Sequence, residues 1–342
     1  MLVSKTQVII LGAGKPHFGK KASAIVNITK NQNTLNFILN LLKKHNCEIQ
    51  FISGLNYKKI KKEFSNIKIH YNKDWKNSGP IFSLSKASLS NNKDLIIIYS
   101  DILFRESILS KVFNSKAELV IACDKNYKNR FSNRDLLDKK RAEKIIFNDN
   151  NKYNFAYNKT SNKKSAEILG LIKISKTKIP ELKKFLLDKN KYINKLKLSD
   201  LLNYLNQKTS KTEIIDSKGD WSEINNHNDI SNFILGSKSS TLLRLKNILK
   251  KSIILDQIQF SLNDWKNKKK EIINKIQKKY KSKTLIVRSS SKEEDSTYKS
   301  NAGKFLSVLN IKGEKQLIDG ISRVINSYKS NENNEVFVQE QF

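Results

Sequence analysis

The chain is poor in arginine, in cysteine and in long apolar runs, and each shortage removes a class of function. Only seven of its 342 residues are Arg (105, 130, 134, 141, 244, 288 and 323), although Lys and Arg together number 65 and the formal net charge is +33. Arginine is the side chain suited to bidentate contacts with phosphates and bases. A basic surface that is nearly all lysine, interspersed with Asn and Ile over the whole length, reads as the drift of an AT-rich genome, and no nucleic-acid partner is expected. Cys47 and Cys123 are too few for a disulfide framework and lack CxxC spacing, which points to a reducing compartment and away from thiolate metal capture. No stretch reaches the roughly 18 consecutive apolar residues of a membrane span, and Val8 to Leu11 is too short for a signal peptide. A soluble cytoplasmic protein without a membrane partner is the expectation.

What the chain does contain is organised in two stretches, in keeping with a length beyond that of a single core. Apolar runs at 7–11, 49–53, 95–99 and 118–123 alternate with segments of helical spacing such as Thr34 to Lys44 and Tyr57 to Phe64. This alternation predicts βαβ units and a parallel sheet with its sites at the carboxyl ends of the strands. The polar stretch 126–165 has little period and reads as an insertion, a hairpin covering the active site. A strand at 167–174 and a helical segment at 176–206 follow. The character changes around 226–236, after which helices are expected at 239–250, 263–279 and 314–328, and strands at 284–288, 305–311 and 335–340. The domains are therefore placed at 1–230 and 235–342. A terminal strand with nothing to cover it predicts that the second domain is part of a larger one.

Ile10-Leu11-Gly12-Ala13-Gly14 closes the first strand, where a glycine turn lets backbone N–H groups approach a triphosphate. The same residues also suit a plain tight turn. Lys15, Lys20 and Lys21 are either surface cations or the charges that neutralise the β- and γ-phosphates. Asp101 ends the apolar strand Leu95 to Tyr99, a position that presents its carboxylate at the sheet edge as a ligand; a cap is the other common use of such an Asp.

Taken in order, Gly12 to Gly14, Gly54-Leu55-Asn56-Tyr57, Asn72-x-x-Trp75-x-x-Ser78-x-x-x-x-Ser83, Leu95 to Phe104, Glu167 to Ile174 and Trp221-Ser222-Glu223-Ile224 resemble the sugar-phosphate and choline-phosphate nucleotidyltransferases. The resemblance implies a Rossmann-like mixed α/β sheet over about 1–230. It implies nucleotide contacts from Leu11, Gly12, Ala13, Gly14, Lys15, Ser78, Gly79 and Ser83, and Mg²⁺ held by Asp101, Glu223 and Asn225. Asp101 and Lys21 carry the catalytic roles, with Lys15 the second choice for the phosphate-binding lysine. Two departures stand out. Glu223-Ile224-Asn225 replaces Glu-Ile-Asp, so a charged ligand is neutral here, with Asp220 a further source of charge. Lys15-Pro16-His17-Phe18-Gly19 replaces the usual Gly-x-Gly-x-Arg continuation, and His17 reads as a loop residue. The chemistry implied is attack of a substrate phosphate on the α-phosphorus of an NTP, in which a divalent cation and lysines offset the charge that builds on the non-bridging oxygens.

Leu235-Gly236-Ser237-Lys238-Ser239-Ser240 opens a helix, and Ile286-Val287-Arg288-Ser289-Ser290-Ser291 and Asn301-Ala302-Gly303-Lys304-Phe305 follow further on. An Arg at a strand end followed by serines offers a guanidinium fork and hydroxyls to phosphate oxygens, or pairs with Glu293 or Asp295. This succession resembles the ATP-binding domain of phosphoenolpyruvate synthase and pyruvate phosphate dikinase, which implies a partial ATP-grasp-type α+β domain with Lys238 and Arg288 on ATP phosphates. Either the chain is a fragment of a longer one or a partner chain carries the rest of such a kinase. The pairing resembles capsule phosphoramidate biosynthesis, where a glutamine kinase works with a cytidylyltransferase acting on phosphoglutamine. The expected partners are thus CTP (or another NTP), a phosphorylated small-molecule acceptor, and ATP at the second domain. A non-catalytic nucleotide-binding domain and a subunit of a split kinase are the alternatives.

Overall fold

Alternation along one strand sets up two cores. In β1 (Thr6–Gly12), Val8 and Ile10 face one side of the sheet and Ile9 and Leu11 the other, and all four are buried. The computed structural model describes residues 5–16, 20–130, 140, 142–147, 153–157, 164–246, 249, 251–290, 295–296, 299–300, 306–328 and 334–341. It divides into two compact units, Met1–Ile230 and Ser231–Phe342.

The main sheet of the first unit is built from β1, β2 (Cys47–Ser53), β3 (Lys68–Tyr71), β4 (Asp94–Tyr99), β6 (Leu119–Asp124), β7 (Lys144–Phe147), β8 (Tyr153–Ala156), β9 (Ser165–Ile174) and β10 (Thr212–Asp216). A separate short strand, β5 (Ile102–Phe104), pairs with β11 (Trp221–Glu223). The sheet order is β8-β7-β9-β4-β1-β2-β3, and β6 bridges β9 to β10. β1 is parallel to both β2 and β4, as the βαβ reading requires. The sheet is mixed, as the resemblance implies, and an antiparallel member is placed centrally. β9 runs antiparallel between β4 and β6, so β6 pairs with β9 and β10 instead of with β4.

One core cluster packs Val8, Ile10, Ile96 and Ile98 against α1 (Thr34–Leu42), α2 (Tyr57–Glu63) and α4 (Glu106–Asn114). The other packs Ile9, Leu11, Leu95 and Ile97 against α3 (Pro80–Leu84), α5 (Ile179–Asp188) and α6 (Leu198–Lys208). A sheet covered on both faces explains why its central strands read as continuous apolar runs. The segment read as one helical stretch at 176–206 is broken between α5 and α6 by a 3₁₀ turn at Asn190–Lys195. The insertion does form a hairpin: β7 and β8 pair antiparallel, Ile145 opposite Phe155.

All ten residues of β9 are buried, two of them charged. Lys173 is satisfied by Asp94 Oδ2 at 3.2 Å and by the carbonyl oxygens of Phe113 and Ser115 at 3.1 and 2.9 Å. A buried cation is tolerated only with such a full set of partners. Midway, the register of β9 against β6 shifts between Ile168 and Ile172, and Gly170 within this bulge has φ +77°. A Cβ there would lie 2.6 Å from Tyr99 Cγ, so only glycine lets the Tyr99 ring lie against the strand.

The second unit is an antiparallel sheet in the order β12 (Gln257–Ser261), β15 (Glu335–Glu340), β13 (Leu285–Ser290), β14 (Ser307–Ile311). α8 (Leu262–Tyr280) and α9 (Gly313–Asn326) supply Ile272, Ile276, Leu317, Ile321 and Val324 to a core with Val287, Val336 and Val338. α8 starts where a capping box starts it: Ser261 Oγ accepts from Asp264 N at 3.0 Å, and Asp264 Oδ2 accepts from Ser261 N at 3.2 Å. α7 (Lys238–Lys246) opens just after Gly236, whose φ is +66°. Among the described residues no helix is long and apolar enough to cross a membrane.

Gly170→Ala should destabilise the first unit by about 1–3 kcal/mol through left-handed strain and the clash with Tyr99, read as a lower urea midpoint.

Candidate functional site

The site forms where β1 and β4 end together. Leu11 is level with Tyr99 in the parallel ladder, and Ser100 N donates to Leu11 O at 3.0 Å. Gly12 lies so close to the next turn that a Cβ would fall 2.2 Å from Phe51 Cζ and 3.1 Å from Ser100 Oγ. Beside it, a Cβ on Gly54 would lie 2.6 Å from Trp75 Cβ and 3.1 Å from Ala13 Cα. The glycines thus bring the backbone of the first turn, the second turn and the Trp75 segment into contact, with Gly14 and Lys15 exposed beyond them. Residues 17–19 lie outside the described residues, His17 among them. The loop resumes at Lys20 and Lys21, both exposed, and is pinned immediately afterwards, where Ala22 N donates to Asn56 Oδ1 at 3.0 Å. Asn56 is itself in the left-handed region, φ 60°, which its short polar side chain tolerates.

Asp101 follows β4 directly, and the β5–β11 pair sets what faces it. Ile224 N donates to Asp101 O at 2.7 Å, and Glu223 is opposite Ile102 in the ladder. This pairing carries Glu223 and Asn225 to the same cavity as Asp101, a cleft of about 220 Å³. Asn225 Nδ2 donates to Glu223 Oε2 at 3.2 Å, which uses the amide N–H and leaves the amide oxygen as an acceptor for a cation. Two carboxylates and an amide oxygen are the hard donors a Mg²⁺ ion takes, so these residues fit the ion. Among the described residues no group of three or more His, Cys, Asp and Glu is arranged to hold a metal.

Sequence reasoning missed Glu143, Tyr157 and Lys197, which line this cavity together with Tyr99, Glu167 and Trp221 from the quoted motifs. Glu143 precedes the inserted hairpin and Tyr157 follows it, so the residues flanking the hairpin reach the cavity, and nothing in its aperiodic sequence singles out Glu143. Tyr99 Oη donates to Glu143 Oε2 at 3.2 Å and Ser199 N donates to Glu143 Oε1 at 3.1 Å. Burial pushes the Glu143 carboxyl up to about 7, against the opposing pull of those two donors. Burial, then the nearby acids Glu143 and Asp101, hold the Tyr99 phenol well above its ordinary range and therefore neutral. The Lys197 ammonium stands 4.8 Å from the centre of the Tyr157 ring.

The segment around Ser78 acts from behind. Buried Asn72 donates to Ser78 Oγ at 3.0 Å and to Ser83 Oγ at 3.1 Å, and Ser83 Oγ donates to Gly79 O at 3.3 Å. The Ser83 hydroxyl is therefore engaged inside the protein, where it shapes the turn; Pro80, next to Gly79, is the residue of this segment on the cavity wall. Of the residues named from sequence, Asp101, Glu223 and Asn225 line the cavity, whereas the glycine turn and Lys21 are not among its lining residues.

In the second unit Lys238 is half-buried at the start of α7, and Arg288 is half-buried on β13 with its guanidinium 5.7 Å from the centre of the Phe337 ring. Buried Arg288 Nε has no hydrogen-bond partner among the described residues. Residues 291–294 and 301–305 lie outside them.

Comparison with known proteins agrees with both halves. The family model of the pyruvate phosphate dikinase AMP/ATP-binding domain matches residues 162–337, just over half of the chain, and the chain belongs to that family. The match begins inside the first unit, so the compact units and the match do not share a boundary. A CTP:phosphoglutamine cytidylyltransferase from Campylobacter jejuni subsp. jejuni serotype O:2 is 28% identical over 152 residues, 42% of this chain; the chain spans 59% of that relative's length. The inositol-1-phosphate CTP transferase from T. maritima superposes with a TM-score of 0.51 at 15% identity, over 68% of this chain and 98% of that one. The first unit shares that fold.

Because its folded-state pKa is raised, Glu143 favours the fold when protonated and opposes it when ionised. Its contribution is fully present below the ordinary carboxyl range and is lost as pH rises to about 7. Thermal melts of the wild type and Glu143→Gln should diverge over that interval, the wild type falling relative to the variant, and run parallel above it.

Proposed function

We propose that the first unit is a Mg²⁺-dependent cytidylyltransferase that activates a phosphorylated small metabolite, with phosphoglutamine as the best single acceptor, in the modification of a surface polysaccharide. One observation carries the reading: Asp101, Glu223 and Asn225, distant in sequence, meet in one cavity at the edge of the sheet where the glycine turn ends. The choice of CTP and phosphoglutamine rests on the similarity to the Campylobacter protein.

In this reaction an acceptor phosphate oxygen forms a bond to the α-phosphorus of CTP, and the bond to the β-phosphate breaks to release pyrophosphate. Mg²⁺, when bound, would supply positive charge to the phosphate oxygens as negative charge builds there. Asp101, Glu223 and the amide oxygen of Asn225 would hold that ion, and the backbone of Gly12, Ala13 and Gly14 offers N–H groups to the triphosphate. Lys21, at the end of the loop anchored by Ala22 on Asn56, brings a cation to the leaving pyrophosphate. The hairpin ends, Glu143 and Tyr157, exclude water from the acceptor side. For the second unit we propose ATP as the ligand, in an ATP-grasp-type arrangement with Lys238 and Arg288 on its phosphates, as part of the kinase that makes the acceptor.

The test is pyrophosphate release with CTP, UTP, ATP and GTP against phosphorylated amino acids, choline phosphate, aminoethylphosphonate and sugar phosphates. CTP with a phosphorylated amino acid should give the highest rate, and Asp101→Ala should lower it by about 10²-fold or more. Turnover by that variant at the wild-type rate removes Asp101 from the chemistry. Asn225→Asp, which adds a third carboxylate beside Asp101 and Glu223, should lower the Mg²⁺ concentration needed for half-maximal rate severalfold without changing the acceptor preference.

A further inference from the structure

The polar face of the second unit is organised around one carboxylate. α8 and α9 pack on one face of its sheet, and the residues that alternate away from them include Gln257, Arg288, Ser290, Glu335 and Phe337. Ser290 is opposite Glu335 and Arg288 is opposite Phe337 in the antiparallel ladder, so all four share that face. The start of α7 is fastened there. Glu335 Oε2 accepts from Ser237 Oγ at 2.6 Å and from Ser239 Oγ at 2.8 Å. Ser239 N donates to Ser290 Oγ at 2.9 Å, and Gln257 Nε2 donates to Ser239 O at 2.8 Å. Ser290 and Glu335 are in turn locked by Tyr328, whose hydroxyl accepts from Ser290 N at 2.9 Å and donates to Glu335 O at 2.5 Å.

Lys238 sits between the two serines that Glu335 holds. The same set of bonds therefore fixes its backbone over the strand that carries Arg288, although the two residues are far apart in sequence. Two hydrogen bonds of 2.6 and 2.8 Å converging on one oxygen define the turn closely.

We infer that Glu335 is the positioning residue of the phosphate site in the second unit: by accepting from Ser237 and Ser239 it holds Lys238 on the same face as Arg288. This rests on the reading of the second unit as an ATP-binding module. Glu335 acts as a hydrogen-bond acceptor for the turn, and neither a ligand role nor its charge enters. Gln in its place keeps an acceptor oxygen; Ala does not.

The experiment uses the full chain and two readouts, MgATP affinity by calorimetry and amide hydrogen exchange over Ser237–Thr241 without nucleotide. Glu335→Ala should raise the MgATP Kd about tenfold or more and strip protection from those amides, whereas Glu335→Gln should stay within about threefold and keep the protection. The double variant Ser237→Ala/Ser239→Ala should reproduce the alanine result with Glu335 in place, and serves if Glu335→Ala does not fold. Wild-type affinity and exchange in Glu335→Ala overturn the inference. So does a Glu335→Gln variant as weak as Glu335→Ala, which would make charge the operative property. A wild type that binds no MgATP sinks the ATP reading of the unit; the exchange data then decide the positioning role separately.

Discussion

The passage of β9 through the middle of the main sheet is the constraint on which the first site depends. A strand hydrogen-bonded on both sides must satisfy every backbone group and bury every side chain, and β9 does so with a charged residue near each end. Lys173 is neutralised by Asp94 and two carbonyls, which ties the end of β9 to the start of β4. Near its other end β9 contributes Glu167 to the cavity wall. Between them the bulge at Gly170 lets Tyr99 lie flat against the strand, and Tyr99 in turn holds Glu143. One antiparallel insertion thereby joins the strand that delivers Asp101 to the hairpin whose flanking residues reach the cavity.

Electrostatics divide the cavity into two sides. Asp101 and Glu223, with the Asn225 amide, make the side that suits a hard cation. Across from them Glu143 is held near neutrality by burial, and Tyr99 is kept protonated. Taking a carboxyl group out of water disfavours its ionised form, and that burial is what raises Glu143. The exchange of a charged third ligand for Asn225 removes one more negative charge from the cleft.

The second unit solves a different problem with similar means. Its apolar face is covered by α8 and α9, whereas its other face carries buried serines, glutamines and an arginine whose Nε is buried. Buried hydroxyls are stable only when paired, and here Ser237, Ser239 and Ser290 satisfy one another and Glu335. The network is what gives a serine-rich helix start a fixed place on the sheet.

The amino-acid sequence determined the strands β1, β2, β4 and β6, the helices α1, α2, α8 and α9, and the strand-end place of Asp101, because apolar periodicity and strand-end position are local properties, whereas Glu223 and Asn225 were singled out by the resemblance to a family motif. It did not reveal β3, β10 or β12, whose apolar residues are sparse, nor that β9 separates β4 from β6, because pairing order is decided by which surfaces can be buried together. Glu143 and Tyr157 were invisible for the same reason: each stands in polar sequence without a period and meets the cavity only through the fold, as does Lys197 from the start of α6. Ser83 shows the converse, a residue legible in a motif whose hydroxyl the tertiary structure turns inward to Asn72. Local chemistry chose the ligands and the turns. Long-range packing chose what stands opposite them.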